Sequence, residues 1–154
     1  MNSDQLSLKR LLWAGPLTIV IAVVVNQIVR AIEQAVLQPP ARFFPLSAPP
    51  VAFFTVAGTL GAVIVFAIVA QFAARPVRTY QIISVVALAL SFIPDMLLLF
   101  GPRPAEGVTP PAGGPPPMEG VTFPNVAALM VMHVVAWALC VTLLSRLTQE
   151  PATK

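Results

Sequence analysis

Five side chains able to carry charge, exchange a proton or hydrogen-bond strongly lie within long apolar runs of this sequence: Asn26, Arg30, Glu33, Asp95 and His133. Asp95 follows Pro94 in "SFIPDMLLLF", where a carboxylate has no obvious aqueous neighbour. An acid and a histidine at one depth suit proton exchange, and an arginine suits an anionic group. Asn26, Arg30 and Glu33 follow i, i+4, i+7 spacing with Gln27 and Gln34 beside them, so a helix would gather them into one polar stripe.

The elements that position these residues follow from composition. With 57% hydrophobic and 10% charged residues and a mean hydropathy of +0.85, the chain lies far from ordinary soluble proteins. Four apolar stretches, 11–37, 51–74, 79–100 and 124–147, each approach or exceed the ~20 residues that cross a bilayer. They are apolar on every side and do not alternate, which favours helix over strand. The expected fold is all-α: one integral membrane domain over 1–154, built as a four-helix transmembrane bundle. Lys9 and Arg10 ahead of "LLWAGPLTIVIAVVV" resemble the start of a secretory signal. The run passes into helical "NQIVRAIEQAVL" without a small-x-small cleavage site, so an uncleaved anchor is expected.

Lys9, Arg10, Arg75, Arg78, Arg146 and Lys154 fall on one side of such a bundle, and Arg42 and Arg103 on the other. Both termini are therefore expected in the cytoplasm, in a multi-pass protein of the cell membrane, the inner membrane of a bacterium. The net charge of +3 reflects this bias; no basic soluble domain offers a nucleic-acid surface. At ~1.5 Å rise per residue, Glu33, Arg30 and Asn26 lie ~6, ~10 and ~16 Å below the outer end of the first span. By the same count Asp95 lies ~7 Å and His133 ~13 Å below theirs, so all share the outer half of the membrane. Unpaired charge there is unfavourable by a few kcal/mol or more, and mutual pairing is the simplest remedy. The expected arrangement pairs Asp95 with Arg30, completed by Asn26 and His133, with Glu33 sharing Arg30 or reaching the interface. Pro94 leaves the Leu90 carbonyl without its usual donor, so a helix kink is expected beside the acid.

Other features read as structure. The loop "QPPARFFPLSAPP" is expected to exclude regular helix through its prolines, with Phe43 and Phe44 at the lipid boundary or capping the bundle. The Pro/Gly-rich loop over 101–123 is expected to be mobile. Gly58 with Ala62, and Ala57 with Gly61, have small-xxx-small spacing, which predicts close packing of the second helix on a neighbour, first of all within the chain. Met130, His133 and Trp137 share a face of the fourth helix as core filling, with His133 a hydrogen-bond partner before it is a ligand. The single cysteine, Cys140, allows no internal disulfide and reads as a small buried residue. One histidine builds no usual zinc site, and no phosphate loop or nucleophile motif is present, so no metal and no cofactor is expected.

The segments "RLLWAGPL" with the following Asn26 and Arg30, "FTVAGTLGAVIVFAIVAQFAARPVRTY", "SFIPDMLLL" and "VAALMVMHVVAW" resemble a family of small four-span bacterial membrane proteins, domain of unknown function 6069. The resemblance spans most of the chain outside its two outer loops. It implies a four-helix membrane fold and brings no activity, substrate or cofactor.

Three functions fit these residues. The first in rank is a structural or accessory membrane component, stapled by the polar cluster and meeting a membrane protein partner or a second copy in the lipid bilayer. The alternative is a small transporter or ligand-binding protein in which Arg30 holds an anionic group while Asp95 and His133 exchange a proton. An intramembrane enzyme with Asp95 and His133 as acid and base ranks last, because no nucleophile, metal or cofactor motif accompanies them.

Overall fold

The computed structural model describes residues 8–101 and 119–149. Four long helices form it: α1 (Leu8–Leu37), α2 (Ala48–Phe72), α3 (Pro76–Phe100) and α4 (Phe123–Leu147), with a single 3-10 turn at Phe44–Leu46 before α2. All four are long and apolar enough to cross a membrane. Their outer faces carry Leu12, Val20, Val24, Ile28, Ile32, Phe53, Ile64, Ile68, Val86 and Leu97, all exposed. Such a surface would aggregate in water and is satisfied by hydrocarbon. The protein is an integral membrane protein, a four-helix transmembrane bundle.

α1 packs on both α2 and α4, and α3 packs on α4 and more sparsely on α2. α2 also touches α4, so those two form the short diagonal of the bundle and stand between α1 and α3. At the end carrying both termini, Leu11, Phe66, Val69, Tyr80, Cys140 and Leu144 form one buried cluster, with the Phe66 and Tyr80 rings edge to face at 4.9 Å. Arg10 Nη1 donates to the Gln149 carbonyl at 2.8 Å and ties the start of α1 to the end of α4. At the opposite end Phe43, Leu46, Val51, Ala128, Leu129 and Met132 form a second cluster.

The loop chemistry fixes the ends. α1 stops at Leu37 because Gln38 turns to a positive φ of 45° and Pro39 and Pro40 follow. Phe43 is buried as a cap on the second cluster, whereas Phe44 is exposed. Contrary to the expectation for this loop, Ala48, Pro49 and Pro50 are helical and open α2 three residues ahead of Val51. First-turn N–H groups have no partner inside their helix, so proline loses nothing there. α3 likewise opens on Pro76 and runs on through Pro94 to Phe100. The mobility expected of the Pro/Gly-rich loop over 101–123 falls mostly on 102–118, outside the described residues; Phe123 already opens α4.

The small residues of α2 correct another expectation. A Cβ built on Gly58 or Gly61 would meet no atom within 4 Å, and both positions are exposed. The close approach of α1 and α2 occurs instead at Gly15, where a Cβ would lie 3.0 Å from Val63 Cγ1. Gly58 and Gly61 leave space between α2 and α3, which bears on the site below.

Candidate functional site

The polar residues divide between two places. Arg30 does not reach Asp95. Its Nε donates to Gln27 Oε1 at 2.7 Å and its Nη1 to Gln34 Oε1 at 2.6 Å, both on α1. The two glutamines then donate onward, Gln27 Nε2 to the Ala48 carbonyl at 3.0 Å and Gln34 Nε2 to the Leu46 carbonyl at 3.1 Å. Arg30 thus orients two amides that clamp the start of α2 to α1. The expected Arg30–Asp95 pair fails for a geometric reason: α1 and α3 occupy opposite corners, with α2 and α4 in contact between them. Glu33 forms no ion pair with Arg30 either, and its Oε2 is buried without a hydrogen-bond partner among the described residues.

The second place brings Asn26, Asp95 and His133 together with a residue the sequence reading did not single out, Thr55. Asn26 is 3% exposed; its Nδ2 donates to Thr55 Oγ1 at 3.0 Å and to the Met132 carbonyl at 3.4 Å, joining α1, α2 and α4. The adjoining His133 turns Nδ1 towards the Leu129 carbonyl at 2.9 Å. A carbonyl oxygen only accepts, so Nδ1 carries the hydrogen. The same nitrogen lies 3.3 Å from Oδ2 of Asp95, which is 6% exposed. With that hydrogen directed at Leu129, Oδ2 is left without a hydrogen-bond partner among the described residues.

These groups line one wall of a cleft of about 640 Å³ between α2 and α3, floored by α4 and reaching α1 only at Asn26. Its lining includes exposed Phe54 in the second turn of α2 and exposed Ile83 two turns into α3, on helix faces whose surroundings are lipid, so it opens sideways into the bilayer. The space exists because both facing helices carry short side chains there: Thr55, Gly58, Thr59 and Ala62 on α2, and Ser84, Ala87 and Ser91 on α3. Trp137 Nε1 donates to Ser84 Oγ at 3.1 Å across the floor, and Tyr80 closes the end nearer the termini.

A sequence signal for the cleft existed. Thr55, Gly58, Thr59 and Ala62 follow i, i+3, i+4, i+7, and Ser84, Ala87, Ser91 and Asp95 follow a matching helical spacing. Each is a short or polar stripe on an otherwise bulky apolar helix. Pro94 also lines the cleft, beside the acid. Met130 is half-buried on α4 and outside the cleft lining, while Cys140 is a buried free thiol packed with Phe66 and Tyr80. Among the described residues no three His, Cys, Asp or Glu side chains converge as a metal site would require.

Arranged in this way, the cleft can receive an apolar body along α2 and α3 and hydrogen-bond a polar end at Asp95, His133 and Asn26. No curated protein and no solved structure matches the chain. A family model described as "Family of unknown function (DUF6069)" matches residues 6–105, about two thirds of the sequence, covering α1 to α3 and leaving His133 outside. The chain belongs to this family of unknown function.

Proposed function

We propose that this membrane protein binds an amphipathic molecule that enters sideways from the bilayer between α2 and α3, with its polar end at Asp95 and His133. One observation carries the reading: Asp95, whose buried Oδ2 has no hydrogen-bond partner among the described residues, lines an apolar cleft of about 640 Å³. Pockets for small ligands span roughly 300–1,000 Å³ and combine apolar walls with a few convergent polar groups. A purely structural staple would use the charges on one another, whereas here Arg30 is committed to the α1–α2 clamp. Arg30 accordingly plays no part in this reading, and Asn26 takes its place at the site.

The basic residues near the termini favour a cell-membrane orientation with both termini in the cytoplasm, which sets Asp95 in the outer half. A second reading, an accessory component whose cleft is filled by a transmembrane helix of a partner, is favoured by the open faces of Gly58 and Gly61.

The test fills the cleft. Gly58→Leu with Gly61→Leu meets no atom at the new Cβ positions and improves helix propensity, so the fold is expected to survive. Native mass spectrometry from mild detergent should find a small hydrophobic molecule on the parent and none on the filled variant. Identical spectra for the two proteins would overturn the proposal. A polypeptide lost from the variant would support the accessory reading.

A further inference from the structure

The ligand class follows from which hydrogen-bonding capacity of the cleft is already used. The donors are largely committed. Thr59 Oγ1 donates to the Thr55 carbonyl at 2.6 Å, Ser84 Oγ to Gln81 at 2.8 Å and Ser91 Oγ to Leu88 at 2.7 Å, each within its own helix. Trp137 Nε1 is directed at Ser84 and His133 Nδ1 at Leu129. Asn26 Nδ2 serves Thr55 and Met132, and the Met132 carbonyl fixes which end of that amide is the donor.

What remains among the polar residues of the cleft is lone pairs. Asp95 Oδ2 and Asn26 Oδ1 are both buried and accept no hydrogen bond among the described residues. In the neutral ring of His133, Nδ1–H leaves Nε2 as a further acceptor. The spare hydroxyl hydrogen of Thr55, the buried Tyr80 hydroxyl and the weakly donating Cys140 thiol are the exceptions, and Tyr80 and Cys140 stand with Phe66 at the far end. A carboxylate, an amide oxygen and an imidazole lone pair together call for N–H donors, and a carboxylate among them favours a cation. Phosphate, sulfate, ester or quinone oxygens would meet acceptors with acceptors. A quaternary ammonium has the charge without the hydrogens.

We infer that the cleft takes a long-chain amine that bears N–H hydrogens, its nitrogen at Asp95 and His133 and its chain running along Gly58, Gly61 and Ala87 towards Tyr80. This inference rests on the ligand-binding reading above and adds the headgroup. From Asp95 to Tyr80 is fifteen residues of α3, about 22 Å of helix, which accommodates an extended chain of a dozen or more carbons.

The experiment uses the full chain, carrying Trp13→Phe, in nanodiscs of zwitterionic lipid at neutral pH, so that Trp137 is the sole reporter. The probes are dodecylamine, dodecyltrimethylammonium, dodecanol and dodecyl sulfate, with the Gly58→Leu, Gly61→Leu protein as the blank for simple partitioning into lipid. Dodecylamine should shift Trp137 fluorescence at a tenfold or more lower mole fraction than the quaternary ammonium or the sulfate. Asp95→Asn should remove that preference, and Asp95→Glu should keep part of it. Equal responses to all four probes, absent from the blank, would overturn the amine assignment and leave the ligand site standing. Responses identical in parent and blank would overturn both.

Discussion

His133 Nδ1 stands 2.9 Å from the carbonyl of Leu129 and 3.3 Å from Asp95 Oδ2, so one hydrogen faces two acceptors and the carbonyl receives it. The acid is therefore not needed to hold the histidine in place. Asp95→Leu is expected to leave thermal stability in detergent unchanged or to raise it, because a buried oxygen without a partner disappears while the Leu129 bond persists. His133→Leu gives up the bond to the Leu129 carbonyl and the nitrogen nearest that oxygen, and should lower stability by about 0.5–1.5 kcal/mol. The order of these two melting temperatures checks the assignment, and a reversed order contradicts it.

Arg30 has the opposite character. It orders Gln27 and Gln34, and through them the carbonyls of Ala48 and Leu46. Arg30→Ala should loosen the α1–α2 connection, with a loss bounded by about 1.5–3 kcal/mol per charge-assisted bond and reduced by its partial exposure. Arg30→Lys should rescue little, since an ammonium cannot serve two amides through a fixed planar fork. Limited trypsin cleavage after Arg42 reads this directly: it should accelerate in both variants and stay slow in the parent.

Glycines of one chain should respond in opposite ways. Gly15→Leu drives a side chain into Val63 and should destabilise by about 1–3 kcal/mol, with partial relief from Val63→Ala. Gly61→Ala meets nothing and should be neutral or gain up to about 1 kcal/mol from helix propensity. Thermal melts of the two variants in the same detergent compare them.

Where the loops meet, contact chemistry separates a weak tie from a strong one. The Arg42–Glu119 bridge is 2.8 Å long but more than half exposed on both sides, so Arg42→Ala should change stability by no more than about 0.5 kcal/mol. Gly120 adopts a φ of 79° and a Cβ there would lie 2.7 Å from Pro40 Cδ. Gly120→Ala should therefore lower the melting temperature clearly more than Arg42→Ala does, through backbone strain and overpacking together.

The four helices were legible in the sequence because lipid leaves an apolar stretch of ~20 residues almost no other way to satisfy its backbone. The distance of each polar residue from the end of its helix was legible too, since the helical rise is fixed. Depth is one coordinate, and pairing needs the other two. Arg30 and Asp95 lie on helices that stand diagonally, and nothing in the order of the spans says which diagonal closes. His133 and Asn26 were placed with Asp95 by depth alone, and the bundle brings all three to one cleft. Thr55 escaped notice since a threonine on an apolar helix usually returns its hydroxyl to its own backbone, as Thr59 does. Gly58 and Gly61 were read as a contact because small residues let helices approach, yet the same absence of side chains makes a gap when the facing helix leans away.

The gap between α2 and α3 lies along the flank of the bundle. A molecule that reaches it travels within a two-dimensional reservoir, where each methylene of its chain has already contributed about 0.8 kcal/mol to partitioning before any protein contact forms. A modest intrinsic affinity then suffices for high occupancy. Saturation follows the ratio of ligand to lipid, so adding empty vesicles would strip the protein while total ligand and total protein stay constant.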